Sequence, residues 1–182
     1  MGLVILDRDG VINHDSDDYI KSPEEWEAIP GSLEAIARLN HAGQRILVVT
    51  NQSGIARKLF DVETLNRIHE KMLQQLGEVG GTIEAIFFCP HAPKDNCECR
   101  KPRPGLFQQV ADRLRLPLDG VPVVGDSPRD MEAATAVGAR PILVRTGKGQ
   151  RTLDAEPEIE VAEIYDDLAA VADALIAELA AD

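Results

Sequence analysis

Asp7-Arg8-Asp9-Gly10 sets two carboxylates one residue apart directly after the apolar run Leu3–Leu6, with a glycine next. If the extended geometry continues, the two side chains lie on one side about 6.5–7 Å apart, and Gly10 allows a sharp turn or a close backbone approach. Such a pair can divide a group transfer, one carboxylate attacking as nucleophile while the other protonates the leaving group and later activates water. A solvated Asp/Gly turn fits the same four residues, so the decision rests on what else converges there. Asn51-Gln52-Ser53-Gly54 follows the run Arg45–Thr50 and offers amide, hydroxyl and backbone donors suited to phosphate oxygens. Gly125-Asp126-Ser127-Pro128-Arg129-Asp130 follows Val121–Val124 and adds Asp126 and Asp130. Clustered acids repel one another unless a cation sits between them, and oxygen-only ligands point to Mg²⁺. That ion also neutralises a phosphate against an anionic nucleophile.

A second cluster has different chemistry. Cys89-Pro90-His91 and Cys97-Glu98-Cys99 hold all three cysteines of the chain within eleven residues, together with one of its four histidines. Three thiolates and an imidazole make a tetrahedral Zn²⁺ site, and four protein ligands close the coordination shell, so this ion is expected to be structural. Arg100, Lys101 and Arg103 follow at once. The zinc would therefore fix a loop that presents bases to a phosphate, Lys101 as a compact charge and Arg100 as a bidentate fork. His14, His41 and His69 sit among polar neighbours and are expected at the surface. Trp26 and Tyr19, in the segment 14–30, can either line a pocket or anchor that segment to the body.

The elements that must position these residues are legible as alternating short apolar runs and helix-period segments, the pattern of an α/β fold. Strands are expected at Leu3–Leu6, Arg45–Thr50, Ile83–Cys89, Val121–Val124 and Pro141–Val144, each apolar enough to be covered on both faces of a parallel sheet. Ser32 can cap a helix ending at Gly43, and Asp61 one carrying Leu65, Ile68, Met72, Leu76 and Val79. Further helices are expected from Pro104 to Leu114, from about Pro128 to a stop at Gly138, and along the stripe Leu168, Val171, Leu175, Leu179. Open parallel sheets place ligands at the carboxyl ends of their strands, where the motifs above fall.

With 182 residues the chain fits one domain spanning 1–182. No apolar run approaches a membrane span and no basic leader precedes the first run, so a cytoplasmic, monomeric globule is expected. The net charge is −12, but residues 154–182 carry ten acids and no Lys or Arg, which leaves 19 bases against 21 acids in the rest. A near-neutral body with seven aromatics argues against a nucleic-acid binder yet permits a small anionic substrate held by a few local bases. The acidic last helix reads as a solvated face over one apolar stripe.

The order Asp7-x-Asp9-Gly10, Thr50 at a strand end, Lys101, then Gly125-Asp126-x-x-x-Asp130 resembles the haloacid dehalogenase superfamily of phosphotransferases, over nearly the whole chain. Thr50-Asn51-Gln52-Ser53-Gly54-Ile55-Ala56-Arg57, Cys89-Pro90-His91 and Cys99-Arg100-Lys101-Pro102-Arg103-Pro104-Gly105 resemble its histidinol-phosphatase-like subgroup. The resemblance implies a three-layer Rossmann-like parallel sheet, capless, with a zinc-binding loop. It makes Asp7 the nucleophile, Asp9 the general acid and base, and Thr50 and Lys101 the stabilisers of the transferring phosphoryl group. It implies Mg²⁺ held by Asp7, the Asp9 backbone carbonyl and Asp126, and Zn²⁺ held by Cys89, His91, Cys97 and Cys99. Arg100, Asn51, Gln52 and Ser53 would contact substrate, with Asp15 and Tyr19 as further candidates. The implied reaction is hydrolysis of the 7-phosphate of a heptose 1,7-bisphosphate in nucleotide-heptose precursor synthesis for lipopolysaccharide. Histidinol phosphate is the alternative substrate, although its phosphatases favour an acid where this chain has Ser53. Two departures stand out: the short arm from His91 to Cys97, which alters the pocket wall, and Ser127, where some members carry Lys.

Independently of the resemblance, only 40 residues separate Asp9 from Thr50 and 50 separate Thr50 from Lys101, most of them needed for helices and strands. A separate cap does not fit, so the site is expected to be open. A phosphomutase would need such a cap to keep its intermediate from water. A zinc-stabilised binding module without catalysis is the reading from another class, and it leaves the converging aspartates unexplained.

Overall fold

The computed structural model describes residues 2–181. Six strands form one parallel sheet: β1 Gly2–Leu6, β2 Gln44–Asn51, β3 Ala85–Cys89, β4 Pro122–Gly125, β5 Arg140–Val144 and β6 Glu163–Tyr165. Their order across the sheet is β3-β2-β1-β4-β5-β6. The direction of winding reverses between β1 and β4, and a crevice opens there at the carboxyl ends of the strands. The five expected strands are all present, and β6 is an addition to them.

The period-2 alternation of each central strand divides the core in two. Val4 and Leu6 join Ile46, Val48, Val124, Ile142 and Val144 on one face, and Leu3 and Ile5 join Leu47, Val49 and Val123 on the other. The first face is covered by α1 (Ser32–His41), α2 (Val62–Glu78) and α6 (Leu168–Ala181), through Ile36, Ile68, Met72, Val171 and Leu175. The second is covered by α3 (Gly105–Leu114) and α4 (Pro128–Thr135), through Leu106, Phe107, Val110, Ala133 and Ala134. Burying a large apolar side chain contributes roughly 1.5–3 kcal/mol, so strands covered on both faces hold the sheet rigid beneath the motifs. A short α5, Gly149–Ala155, follows β5 and is likewise absent from the expected elements.

Caps agree with the sequence in part. Asp61 caps α2 by accepting from the Thr64 N–H at 2.8 Å, and Gly138, at φ +71°, stops the segment that begins with α4. Ser32 does not cap α1. Gly31, at φ +83°, is the N-cap, and the Ser32 hydroxyl instead donates to the Ile12 carbonyl at 2.6 Å, tying the helix to the segment after β1. The stripe on α6 is buried at Leu168, Val171 and Leu175 but reaches solvent at Leu179.

Segment 7–31 folds back over the sheet edge. Asn13 bridges to Asp9 and to Ala28, and Lys71 of α2 donates to the carbonyls of Pro23 and Trp26 at 2.7 and 2.8 Å. Trp26 is fully buried, so it anchors this segment and does not line the cleft. Among the described residues, none of the segments 7–31, 52–61 and 90–104 contains more than a single 3₁₀ turn, so the edge carries no cap.

Candidate active site

Asp7 follows β1 and Asp126 follows β4, the two strands that flank the crevice; the Asp7 N–H donates to the Val124 carbonyl at 2.9 Å and locks the two ends together. The extended geometry supposed for Asp7-Arg8-Asp9 stops at Leu6: the chain turns there, and Val11, Ile12 and Asn13 all donate to the Arg8 carbonyl. Both carboxylates still line the same cleft of about 280 Å³, together with Thr50, Lys101, Asp126 and Asp130. Gly10 is required twice over. Its φ is +86°, and a Cβ there would stand 1.9 Å from Asp126 Oδ2.

Lys101 is buried, and its Nζ joins three groups: Asp7 Oδ1 at 3.1 Å, Asp130 Oδ1 at 2.6 Å and the Val49 carbonyl at 2.8 Å. Burial opposes its charge, but Asp130 and Asp7 outweigh that and hold its pKa above the ordinary lysine value. Asp130 also accepts from the Ser127 hydroxyl at 2.7 Å and from the backbone N–H groups of Ser127 and Asp126 at 3.1 and 3.2 Å. Ser127 is the N-cap residue of α4, and Asp130 shapes the turn that carries Asp126.

Asp9 is held differently. Its Oδ1 accepts from Arg8 Nε and Asn13 Nδ2, both at 2.9 Å, and its Oδ2 from Gln52 Nε2 at 3.1 Å. Burial works against its ionisation, yet the Arg8 charge and the hydrogen bonds from Asn13, Arg8 and Gln52 keep its pKa below the usual carboxylate value. Asp7 goes the other way, pushed up to about 7 by burial first and by Asp130 next. Two neighbouring acids are thus driven apart in proton affinity by their surroundings.

Sequence reasoning passes over Arg8 because it stands between the two aspartates in what reads as a polar turn. It is fully buried, with Nη2 2.8 Å from Asp9 Oδ1 and Nη1 3.1 Å from Nε2 of His69 on α2. His69 is correspondingly buried, against the expectation of a surface residue; His14 and His41 are exposed as expected.

Carboxylate oxygens of Asp7, Asp126 and Asp130 lie within 4.8 Å of one another. Asp126 is raised well above the usual range by burial, Asp130 and Asp7, so one lysine does not neutralise the cluster. Gly10 and Gly147 press against Asp126 Oδ2, and a Cβ on Gly147 would stand 2.3 Å from it. An oxygen-only, over-acidic cradle of this kind fits Mg²⁺. The Asp9 carboxylate is engaged by Arg8, Asn13 and Gln52, which leaves its backbone carbonyl as the donor expected from that residue.

Cys89 Sγ, His91 Nδ1, Cys97 Sγ and Cys99 Sγ gather with separations of 3.2–3.6 Å and no disulfide. Those spacings are close to the edges, about 3.6–3.8 Å, of a tetrahedron built on Zn–S bonds near 2.3 Å. Burial pushes the Cys89 thiol up to about 12, so a cation is needed to hold it as thiolate; the residues fit zinc.

The other expected substrate residues line the cleft, with different duties. Asn51 clamps the backbone of Lys101 from both sides, its Nδ2 donating to the carbonyl and its Oδ1 accepting from the N–H, each at 3.1 Å. Gln52 bridges Asp9 and the Thr50 hydroxyl, the latter at 3.0 Å. Ser53, Arg100, Asp15 and Tyr19 line the cleft as well; Asp15 pairs with Lys148 Nζ at 3.0 Å, and the Tyr19 ring lies 5.6 Å from the Arg57 guanidinium carbon.

Known proteins are similar to this chain in both sequence and overall fold. Residues 98–171 match the family model described as HAD-hydrolase-like, and residues 3–131 the one described as polynucleotide kinase 3 phosphatase. A D-glycero-beta-D-manno-heptose-1,7-bisphosphate 7-phosphatase of Bordetella bronchiseptica is 54% identical over 98% of this chain and 99% of its own length. The Pseudomonas aeruginosa protein of the same name is 53% identical over 96% and 97%. The crystal structure of the B. bronchiseptica D,D-heptose 1,7-bisphosphate phosphatase, complexed with magnesium and phosphate, superposes with a TM-score of 0.95 over 98% of this chain and 99% of that one. The Burkholderia thailandensis D,D-heptose 1,7-bisphosphate phosphatase, 48% identical, gives 0.77 over 97% and 99%. Likeness of this extent, in sequence and in fold alike, makes the chain a phosphoric monoester hydrolase of the haloacid dehalogenase type, and it belongs to the D-glycero-beta-D-manno-heptose-1,7-bisphosphate 7-phosphatase family.

Proposed function

We propose that this protein hydrolyses the 7-phosphate of D-glycero-beta-D-manno-heptose 1,7-bisphosphate and releases the 1-phosphate. The observation that carries the chemistry is Asp7 at the switch point, its Oδ1 3.1 Å from a buried Lys101 that is itself fixed by Asp130 at 2.6 Å. In the first step an Asp7 oxygen bonds to phosphorus while the sugar oxygen departs and takes a proton from Asp9. In the second, Asp9 takes a proton from water, the water oxygen bonds to phosphorus, and the Asp7–phosphorus bond breaks to give inorganic phosphate. Arg8 favours ionised Asp9 at rest, which suits it to be the base of the second step. The negative charge of an arriving phosphate raises its proton affinity for the first. Lys101 and the Thr50 hydroxyl stabilise charge on the phosphoryl oxygens.

Mg²⁺ held by Asp7, Asp126 and the Asp9 carbonyl supplies charge neutralisation for attack of one anion on another. Cys89, His91, Cys97 and Cys99 would hold a structural Zn²⁺, which would keep the loop bearing Arg100 and Lys101 in place. The magnesium and phosphate bound to the B. bronchiseptica phosphatase support the first assignment. The enzyme works as a cytoplasmic monomer on a small phosphorylated sugar. Among the described residues no helix is long and apolar enough to cross a membrane. A polynucleotide end is a poor fit for a chain of net charge −12. The test is kcat/KM across heptose bisphosphate, histidinol phosphate and an aryl phosphate. The bisphosphate is expected to rank first, and a first rank for histidinol phosphate overturns the substrate assignment.

A further inference from the structure

The ion pairs around the cleft leave a surplus of one sign at one place. Asp7 and Asp130 share Lys101, with the remaining acid excess at Asp7, Asp126 and Asp130 forming the cradle that fits Mg²⁺, while Asp9 pairs with Arg8, Asp15 with Lys148 and Asp17 with Arg151. Three guanidiniums line the same cleft and form an ion pair with none of these carboxylates: Arg57, Arg100 and Arg129. They come from three separate elements, the turn after β2, the Cys/His loop after β3 and the first turn of α4. The Arg100 side chain makes one long contact, to the His91 carbonyl at 3.4 Å, and that of Arg57 meets the Tyr19 ring. Arg100 and Arg129 also share the wall of a shallow groove of about 250 Å³ that continues outward from the cleft past Pro93 and Asn96. Like charges brought to one cleft by three elements, none of them in an ion pair with its carboxylates, are stabilised by an anion that the protein itself does not provide.

We propose that Arg57 and Arg129 complete, with Arg100, a three-arginine clamp for a second anionic group of the substrate, and that this clamp excludes substrates whose far end is cationic. The inference rests on the bisphosphate reading and assigns its specificity to Arg57 and Arg129. The reacting phosphoryl group lies at Asp7, Thr50 and Lys101, so the clamp grips the phosphate remote from it. Guanidinium forks bind phosphate oxygens in pairs, which fixes orientation as well as charge. An open cleft needs such a grip, because binding energy from the remote end is what positions the reacting end. The same three charges repel the ammonium group of histidinol phosphate. Arg57 and Arg129 are exposed, so replacing them leaves the core untouched.

The test compares kcat/KM for heptose 1,7-bisphosphate with that for heptose 7-phosphate, which lacks the remote phosphate, in the magnesium- and zinc-loaded wild type and in Arg57→Gln, Arg129→Gln and Arg129→Glu. The preference for the bisphosphate is expected to fall about tenfold or more in each Gln variant. Arg129→Glu is expected to lower it further and to raise relative turnover of histidinol phosphate. A wild-type preference that both Gln variants retain overturns the clamp and leaves the bisphosphate reading standing. No preference in the wild type overturns both.

Discussion

Arg8 sets the character of its neighbour. A guanidinium with no exposure, wedged between Asp9 and His69, fixes the Asp9 carboxylate from one side while Asn13 and Gln52 fix it from the others. The division of labour between the two aspartates then predicts two different failures. Asp7→Asn removes the proposed nucleophile, and turnover should fall on the order of 10⁴-fold or more. Asp9→Asn should cost about 10²–10⁴-fold and, because attack by Asp7 outlives the loss of the base, accumulate an acid-labile phosphoenzyme visible by intact-protein mass spectrometry. A phosphoenzyme in Asp7→Asn would contradict the assignment. His69 carries a pH consequence of its own. Burial, and after it the Arg8 charge, depress its pKa to about 3, whereas the unfolded chain protonates it near pH 6.5. Its folded value is lowered, so the unfolded state binds the extra proton and stability is lost as pH falls below about 6.5, by roughly 2 kcal/mol at pH 5. Urea unfolding at pH 7.5 and pH 5 checks this, and His69→Gln should flatten that part of the acid limb.

Among the elements, the loop from Cys89 to Pro104 does most to place the site, being pinned at two points. The Cys/His cluster holds its base, and Asn51 holds the Lys101 backbone through two 3.1 Å hydrogen bonds. Cys97→Ser should lower zinc affinity by more than about tenfold and reduce activity together with thermal stability, as read by elemental analysis and calorimetry. Asn51→Ala removes both backbone contacts and should cost about 1–3 kcal/mol of stability, with kcat/KM reduced on bisphosphate and aryl phosphate alike, since Lys101 serves both. The central strands are legible in the sequence because a sheet covered on both faces demands unbroken apolar runs, and Leu3–Leu6 or Arg45–Thr50 have no other use. Glu163-Ile164-Tyr165 is not, since an edge strand of three residues with Ile164 40% exposed has no such demand on it. Nor is α5, in which only Gly149 and Thr152 are buried and no apolar period exists. Within the site the aspartates, Lys101 and the Cys/His cluster can be read from residue type and spacing. Arg8 and His69 cannot, because their burial arises from contact across 61 residues. The Asn51 clamp is hidden for the same reason, as an amide looks alike in sequence whether it meets substrate or backbone.

Across the whole molecule, the reversal of winding between β1 and β4 is what makes a crevice, and the catalytic motifs are the residues that follow the strands at that edge. The charge distribution follows the same plan. Acids dominate the C-terminal segment 154–182, while the positive side chains that lack carboxylate partners in the cleft gather at its rim. A chain so arranged repels polyanions at long range and admits a small one at close range. Phosphorus NMR of heptose 1,7-bisphosphate incubated with the magnesium-loaded protein tests the central claim most directly, because it reports which ester breaks. The expected result is loss of the 7-phosphate signal, growth of inorganic phosphate and persistence of the 1-phosphate, with no change over the same interval for Asp7→Asn. Loss of the 1-phosphate first, or equal loss of both, would contradict it.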